Sequence, residues 1–229
     1  MPPNWTVVYN AIRAYRAQTI APVDVVGCHI LGDRCRGPKT FRFQTLVALM
    51  LSAQTKDQTT GQAMHRLRDG FTAWTLATAS VADIDRCIEK VGFHSRKARF
   101  IQEVAGICVA KYQGDIPDSL QGLLDLPGVG PKMSFLALQA AWGKNIGIGV
   151  DTHVHRISNR LGWVRTKQPE ETRRVLETFV PREYWAAINP MLVGFGQTTC
   201  LPVAPRCPQC PVRDLCPSST VLSKKARKQ

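Results

Sequence analysis

Apolar residues recur at spacings of three and four along most of the chain, and this spacing constrains the fold more than any other feature. Two such rows are Phe100, Val104, Ile107 and Cys108, and Trp185, Ile188, Leu192 and Phe195. An α-helix brings residues at these spacings onto one face, whereas a half-buried strand needs alternation, which is scarce here. The sequence therefore predicts an all-α protein with both rows in its core.

Ten helices are predicted, with several of their first residues marked by capping patterns. Thr55 with Gln58, and Ser80 with Asp83, have the spacing of a capping box or close to it, and Pro169 suits a first helical turn. The predicted ranges are 3–17, 41–53, 56–69, 81–90, 95–112, 118–125, 131–142, 152–161, 169–179 and 182–197.

The last four of the eight cysteines lie close together, with six, two and five residues between successive members: Cys200, Cys207, Cys210 and Cys216. Residues 201–217 also hold five prolines and no apolar periodicity, so we expect a metal to fix this loop. Four thiolates suit either Zn²⁺ or a four-iron cluster. Zn sites more often pair two Cys-x-x-Cys knuckles and this run has one, which favours one [4Fe-4S] cluster over Zn²⁺.

The remaining cysteines are scattered, which indicates reduced thiols rather than disulfides. Cys28, His29 and Cys35 are near enough in sequence for a second metal site, but burial as small apolar groups is the favoured interpretation. No run of about eighteen apolar residues is present, and the first twenty residues lack the order of a secretory signal. We therefore expect a soluble, intracellular protein with no membrane partner.

Basic residues exceed acidic ones by 30 to 17 among the 229 residues, giving a formal net charge of +13. This excess points to an acidic partner, with nucleic acid first among the candidates. The basic tail, residues 218–229, is expected to be disordered; it is interpreted equally as a nuclear signal or as a nonspecific DNA contact.

A glycine-containing turn at residues 126–132, Leu-Pro-Gly-Val-Gly-Pro-Lys, is predicted to join two short helices. Its glycines allow sharp bending or close approach of a partner, and its exposed amides at a helix N-terminus form a site for one phosphate. The DNA-binding candidates here are Gly128, Val129 and Gly130. A plain helix connection stabilised by glycines is the other interpretation of this turn.

Lys132 follows Pro131 in the first turn of the second helix, where the helix dipole disfavours a cation. Phe135 and Leu136 share its face by spacing, so its amine is expected to lose hydration. Both effects favour the neutral, nucleophilic amine. A lysine that reaches solvent or binds phosphate as a cation fits this segment equally well.

Asp151 follows the short apolar run Ile-Gly-Ile-Gly-Val, at a position where a helix N-cap is expected. Such a carboxylate can also stabilise positive charge that develops on a sugar as its base leaves. His153 and His155 lie two residues apart, on different sides of a helix, and are interpreted as structural.

Three motifs together resemble the endonuclease III family of helix-hairpin-helix DNA glycosylases: residues 126–132, the run Val-Asp-Thr-His at 150–153, and the cysteine run. Residues 51–58 and 192–197 are similar to the eukaryotic branch, which acts on thymine glycol. The resemblance runs from about residue 40 to 217. It implies a six-helix domain at 36–145, a cluster domain joining 1–35 with 146–217, and an active site in the cleft between them.

The resemblance also implies roles for single residues in base excision repair of double-stranded damaged DNA. Lys132 attacks the sugar of a flipped, oxidised pyrimidine nucleotide and holds it as a Schiff base until β-elimination cuts the strand, and Asp151 assists. Gln54 fills the gap left by the flipped nucleotide. Phe93 acts as a wedge against the opposite strand, although burial in the core is an equal interpretation of this side chain.

Two departures from the family accompany this resemblance. Pro131 stands where bacterial members usually carry arginine, which removes one phosphate contact, and the basic N-terminal extension of mammalian members is absent or omitted. We expect a monomer in the nucleus, with the mitochondrion as a second location. Competing hypotheses are an adenine glycosylase, against which Lys132 argues, and a noncatalytic DNA-binding hairpin module with a structural four-cysteine metal site.

Overall fold

A computed structural model describes residues 2, 4–67 and 71–221. This described part contains α-helices and short 3₁₀ turns but no strand, which confirms the predicted all-α class. The helices are α1 (Trp5–Ala17), α2 (Pro22–Val26), α3 (Pro38–Ser52), α4 (Asp57–Arg66), α5 (Ala73–Thr78), α6 (Val81–Cys87), α7 (His94–Tyr112), α8 (Leu120–Leu124), α9 (Pro131–Trp142), α10 (Thr152–Arg160), α11 (Pro169–Phe179) and α12 (Trp185–Thr198).

The chain divides into two compact units, one formed by residues 25–146 and the other by the residues before and after this range. The sequence placed these boundaries at 35/36 and 145/146, so the first lies eleven residues earlier in the structure. The predicted disordered tail also begins too early, because Ser219 is buried and its N–H donates to the Cys216 carbonyl. Residues 222–229 lie outside the described part.

In the unit formed by residues 25–146, α3 lies in the centre and packs on α4, α7 and α9. All nine residues from Phe43 to Leu51 are buried, because helices cover α3 on several sides. The helix α7 packs against α5, α6 and α3. This arrangement places the C-terminal end of α3 beside the start of α7.

In the other unit, α12 packs on α1 and α10, and α10 also contacts α11. The predicted row on α12 is confirmed as core for Ile188, Leu192 and Phe195, which are at most 1% exposed, while Trp185 is half-buried. The helix α12 ends at Thr198, directly before the first cysteine of the C-terminal run.

Two short helices, α2 and α5, were not predicted, because five or six residues are too few to display a helical repeat. The helix α8 is as short, but the glycine-containing turn that follows it indicated its position. The N-cap of Ser80 is confirmed by its contact with the Asp83 N–H, and Pro169 begins α11 as predicted. The capping role of Thr55 is wrong. Lys56 is the residue before α4, and the Thr55 hydroxyl donates to the Ala53 carbonyl instead.

None of the described helices is long and apolar enough to cross a membrane.

Candidate nucleic-acid interface and active site

The predicted turn joins α8 to α9, and its two glycines differ in what the backbone requires of them. Gly128 has φ +76°, a conformation that favours glycine, and a Cβ there would lie 2.5 Å from the Phe100 ring. Gly130 has φ −102°, and a Cβ there would meet nothing within 4 Å. Gly128 is therefore needed by the fold, whereas Gly130 leaves open space on the surface of the turn.

The amides of this turn are the candidate phosphate ligands, but Val129 is not among them. Its side chain is 6% exposed in the core, and its N–H donates to the Leu126 carbonyl at 3.2 Å. The N–H groups of Gly128, Gly130 and Lys132 have no acceptor among the described residues. The predicted contact of Val129 with DNA thus needs correction, since Val129 anchors the turn and its neighbours present the free donors.

Lys132 is the second residue of α9, as predicted, and its side chain is half-buried. Phe135 is 7% exposed and Leu136 packs on the hydrophobic core of this unit, so the helix face that Lys132 shares with them by spacing is apolar. Burial raises the pKa of the Cys28 thiol, and the nearby Lys132 ammonium opposes that rise. Within the described part of the chain, the Lys132 amine makes no hydrogen bond or ion pair and so stays available to a ligand.

Gln54 and Phe93, both predicted to enter DNA, have left-handed backbones with φ of +53° and +59°. Both side chains are exposed, Phe93 by 64%. The interpretation of Phe93 as a core residue is therefore wrong. Their loops touch, because the Gly92 N–H donates to the Thr55 hydroxyl at 3.3 Å.

Asp151 is the N-cap of α10, as predicted from its position after the apolar run. One carboxylate oxygen accepts from the Val154 N–H at 2.8 Å, and the side chain is half-buried. Only one oxygen makes this cap, so the other can face a ligand. The two histidines that follow are structural, as expected: His153 contacts Arg156, and His155 contacts Thr172.

The four C-terminal cysteines line one pocket together with Leu161, Phe195 and Arg160. The Arg160 guanidinium lies 3.5 Å from the Cys200 sulfur and donates to the Leu201 carbonyl at 2.7 Å. The predicted cysteine set is therefore brought together, although its members come from a loop with only a short 3₁₀ turn at Cys207–Gln209.

Burial raises the pKa of the Cys210 thiol to about 11 and also raises that of Cys216, and the other cysteines of the pocket add to both shifts. Among the described residues, no three cysteine, histidine or acidic side chains are placed to hold a single metal ion. Cys28, His29 and Cys35 are among the residues to which this finding applies. Four thiol side chains that line one pocket provide the donor set of either a four-iron cluster or Zn²⁺.

Two residues of α7 were missed by the sequence reasoning. Lys97 is 9% exposed, and its ammonium donates to backbone carbonyls at the end of α3. Arg96 is exposed and stacks 5.5 Å above Phe100, the ring that lies against Gly128. The signal for Lys97 is its position at the head of the buried row that continues with Ile101, Val104 and Cys108. Phe100, which was placed in that row, is only partly buried.

Comparison with known proteins identifies relatives over most of the chain. The profile of the HhH-GPD superfamily, described as base excision DNA repair proteins, matches residues 47–182. A Schizosaccharomyces pombe protein named Endonuclease III homolog is 50% identical over 224 residues, covering 95% of this chain and 63% of the relative. Endonuclease III-like protein 1 of Bos taurus is 49% identical, covering 96% and 73% respectively.

Solved structures show the same similarity. One described as a trapped endonuclease III–DNA covalent intermediate matches with a TM-score of 0.74 at 32% identity, covering 82% of this chain and 86% of that one. A non-covalent endonuclease III–DNA complex matches equally well. The chain spans somewhat less than two thirds of the yeast relative, and 60% of a chloroplastic Endonuclease III homolog from Arabidopsis thaliana.

Proposed function

Since this chain belongs to the HhH-GPD superfamily of base excision DNA repair proteins, and within it to the endonuclease III family, we propose that it is a bifunctional DNA glycosylase and abasic-site lyase. The resemblance predicted from its motifs is thereby confirmed. Its substrates are oxidised pyrimidines of the thymine glycol type in double-stranded DNA. The single observation that carries this proposal is Lys132, a half-buried residue whose amine has no described partner and which directly follows a turn with free backbone N–H groups.

In this proposal the amine of Lys132 attacks C1′ of the damaged nucleotide. The new N–C1′ bond replaces the glycosidic bond, whose electron pair leaves with the base, and the base takes up a proton. Opening of the sugar gives an imine between Lys132 and C1′, and loss of a C2′ proton expels the 3′ phosphate. The carboxylate of Asp151 stabilises the positive charge that develops on the sugar.

The DNA contacts are proposed on the same basis. The N–H groups of Gly128, Gly130 and Lys132 bind one phosphate without reading sequence, because backbone amides see only the DNA backbone. Gln54 fills the space left by the flipped nucleotide, and Phe93 contacts the opposite strand. The exposure of both side chains on touching loops supports these roles.

We propose that Cys200, Cys207, Cys210 and Cys216 hold one [4Fe-4S] cluster, with Zn²⁺ as the alternative. The shared pocket supports a common group, and the sequence spacing of the cysteines, which contains a single Cys-x-x-Cys pair, favours the cluster. When bound, the cluster supplies structure rather than chemistry to the reaction. Its role is to order residues 200–216, which otherwise lack a periodic apolar face.

The protein is proposed to act as a monomer in the nucleus, with the mitochondrion as a second compartment. Similarity to eukaryotic endonuclease III homologs supports a role in DNA repair, and the nucleus holds most of the DNA of such cells. Imaging of the tagged full-length protein tests the compartment, and light scattering of the purified protein tests the monomer.

Borohydride trapping on a duplex with one thymine glycol tests the proposed activity. Wild-type protein is expected to form a covalent adduct, because borohydride reduces the imine to a stable amine, and Lys132→Gln is expected to form none. An adduct of equal yield with Lys132→Gln would show that another residue is the nucleophile. Absence of any adduct with wild type would instead favour the noncatalytic hairpin module. A duplex with adenine as the target base tests the adenine glycosylase.

Colour tests the metal site independently of activity. A protein with an iron–sulfur cluster is yellow-brown, whereas a Zn²⁺ protein is colourless. Cys207→Ser is expected to lose the visible absorbance and to bind duplex more weakly, while Cys87→Ser, outside the pocket, retains both. Full absorbance in the Cys207→Ser protein would contradict the assigned ligand set.

A further inference from the structure

Lys97 is a buried cation that the proposed reaction does not use. Its side chain is 9% exposed, and its Nζ lies 2.7 Å from the Leu51 carbonyl, 2.5 Å from the Ala53 carbonyl and 3.3 Å from the Thr55 hydroxyl. These three acceptors match the three hydrogens of an ammonium group. No described carboxylate pairs with it, so these hydrogen bonds to two backbone carbonyls and one hydroxyl offset the cost of burial.

The acceptors of Lys97 belong to the end of α3 and the loop that carries Gln54. Leu51 and Ala53 have carbonyls that the ending helix leaves without intrahelical donors, and a cation is favoured at this end of the helix dipole. Gln54 lies between two of the bound residues, in the left-handed conformation at φ +53°. A non-glycine residue adopts that conformation only at a cost in free energy, and the contacts of Lys97 on both sides of Gln54 offset this cost.

Lys97 also contacts the loop that carries Phe93, the second exposed side chain. Its backbone N–H donates to the Phe93 carbonyl at 3.0 Å, in the first turn of α7. The Thr55 hydroxyl accepts from both the Lys97 ammonium and the Gly92 N–H. Gly92 lets the loops approach closely, since a Cβ there would lie 3.0 Å from the Gln54 carbonyl oxygen.

We propose that Lys97 is a positioning residue, which holds the Gln54 and Phe93 loops in one fixed arrangement before DNA arrives. This inference rests on the proposed function, because it assigns Gln54 and Phe93 a task in the duplex. A preformed arrangement lowers the entropy that binding must otherwise remove. Capture of the damaged nucleotide from a duplex then depends on Lys97, whereas the chemistry at Lys132 does not.

Two substrates separate these steps. The first is a thymine glycol duplex, which requires flipping. The second is a single-stranded oligonucleotide with an abasic site, on which the lyase step needs no flipping. Lys97→Met keeps the length of the side chain but removes its donors, and Lys111→Met is the matched control on the exposed side of the same helix. Circular dichroism and melting temperature establish that each variant is folded.

Under single-turnover conditions, Lys97→Met is expected to cut the duplex at least about tenfold more slowly, because small misplacements of positioned groups carry costs of this size. Its rate on the single strand should stay within about twofold of wild type, as should both rates of Lys111→Met. Gln54→Ala combined with Lys97→Met should be no slower than the slower single variant, since both remove the same function. Equal losses on both substrates, an unchanged duplex rate, or additive losses would each overturn the proposal.

Thr55→Val keeps the inference testable if Lys97→Met does not fold. It removes the hydroxyl shared by Lys97 and Gly92 at constant volume, and it is expected to slow duplex cleavage severalfold and leave the single strand unaffected. A wild-type duplex rate for Thr55→Val would overturn the proposal. Wild-type protein that fails to cut either substrate would refute the proposed function instead, so the two failures are distinguishable.

Discussion

The two glycines of the turn predict opposite effects for the same substitution. Gly128→Ala places a methyl group at φ +76°, which costs about 1–2 kcal/mol, and brings its Cβ to 2.5 Å from the Phe100 ring, where overpacking costs about 1–3 kcal/mol. The ring is partly exposed and can shift, which reduces the second cost. We expect Gly128→Ala to lower the free energy of unfolding by about 2–4 kcal/mol.

Gly130→Ala should leave stability within about 0.5 kcal/mol of wild type, because φ is −102° and the space around its Cβ is open. The new methyl group instead occupies the surface that a phosphate must approach. We expect duplex affinity to fall about tenfold, which corresponds to about 1.4 kcal/mol. Gly128→Ala is therefore expected to lower stability and Gly130→Ala to lower duplex affinity, although the two glycines are only two residues apart.

Thermal unfolding and fluorescence anisotropy at one fixed salt concentration measure the two effects. For a chain of this size, about 1 kcal/mol lowers the melting temperature by roughly 2–4 °C, so Gly128→Ala should melt roughly 5–15 °C below wild type. In a Phe100→Ala background the steric part disappears, and a loss of about 1–2 kcal/mol remains. Equal melting temperatures for the two glycine variants, or wild-type affinity for Gly130→Ala, would refute the reasoning.

Three further predictions concern single side chains. Asp151→Asn retains an oxygen for the Val154 N–H and should keep its stability within about 0.5 kcal/mol, whereas Asp151→Ala should lose about 1 kcal/mol; both should excise the base at least about tenfold more slowly. A fully active Asp151→Asn enzyme would exclude the electrostatic role. Arg96→Gln should weaken duplex binding and reduce the slope of log affinity against log salt by about 0.9, with Lys111→Gln as a control; an unchanged slope would remove Arg96 from the interface. Burial lowers the pKa of Lys97 to about 8, below the value of about 10.4 expected in the unfolded chain, so unfolding takes up a proton between these values. The free energy of unfolding of wild type relative to Lys97→Met should therefore rise as pH increases from about 8 to 10.4, and denaturant titrations that show no such rise would contradict the assigned burial cost.

Most of the fold was predictable because long helices repeat their apolar residues several times. The helices α7, α9, α11 and α12 lie within about three residues of their predicted ends. The first residues of α4 were harder to predict, since the hydroxyl of Thr55 accepts from a loop 37 residues away rather than capping its own helix. A local capping pattern competes with such contacts, and the sequence does not indicate which one is formed.

The candidate site was predictable where the chemistry resides in local sequence. Lys132 after Pro131, Asp151 after an apolar run, and four closely spaced cysteines each mark a position on the chain. The role of Val129 was not predictable in this way. Whether an amide faces solvent or the Leu126 carbonyl depends on how the turn closes over the core.

The helical class, the lysine at a helix start and the four closely spaced cysteines were all evident from the sequence, because each depends on residues near one another along the chain. The packing of the helices was needed to show that Gly128 is confined by Phe100 while Gly130 is open. It was also needed to show that Lys97 binds the loop of Gln54, through hydrogen bonds between residues 42 to 46 positions apart. Burial and hydrogen bonding over such separations depend on how the helices pack against one another. Residues that are neighbours in the sequence do not indicate this packing.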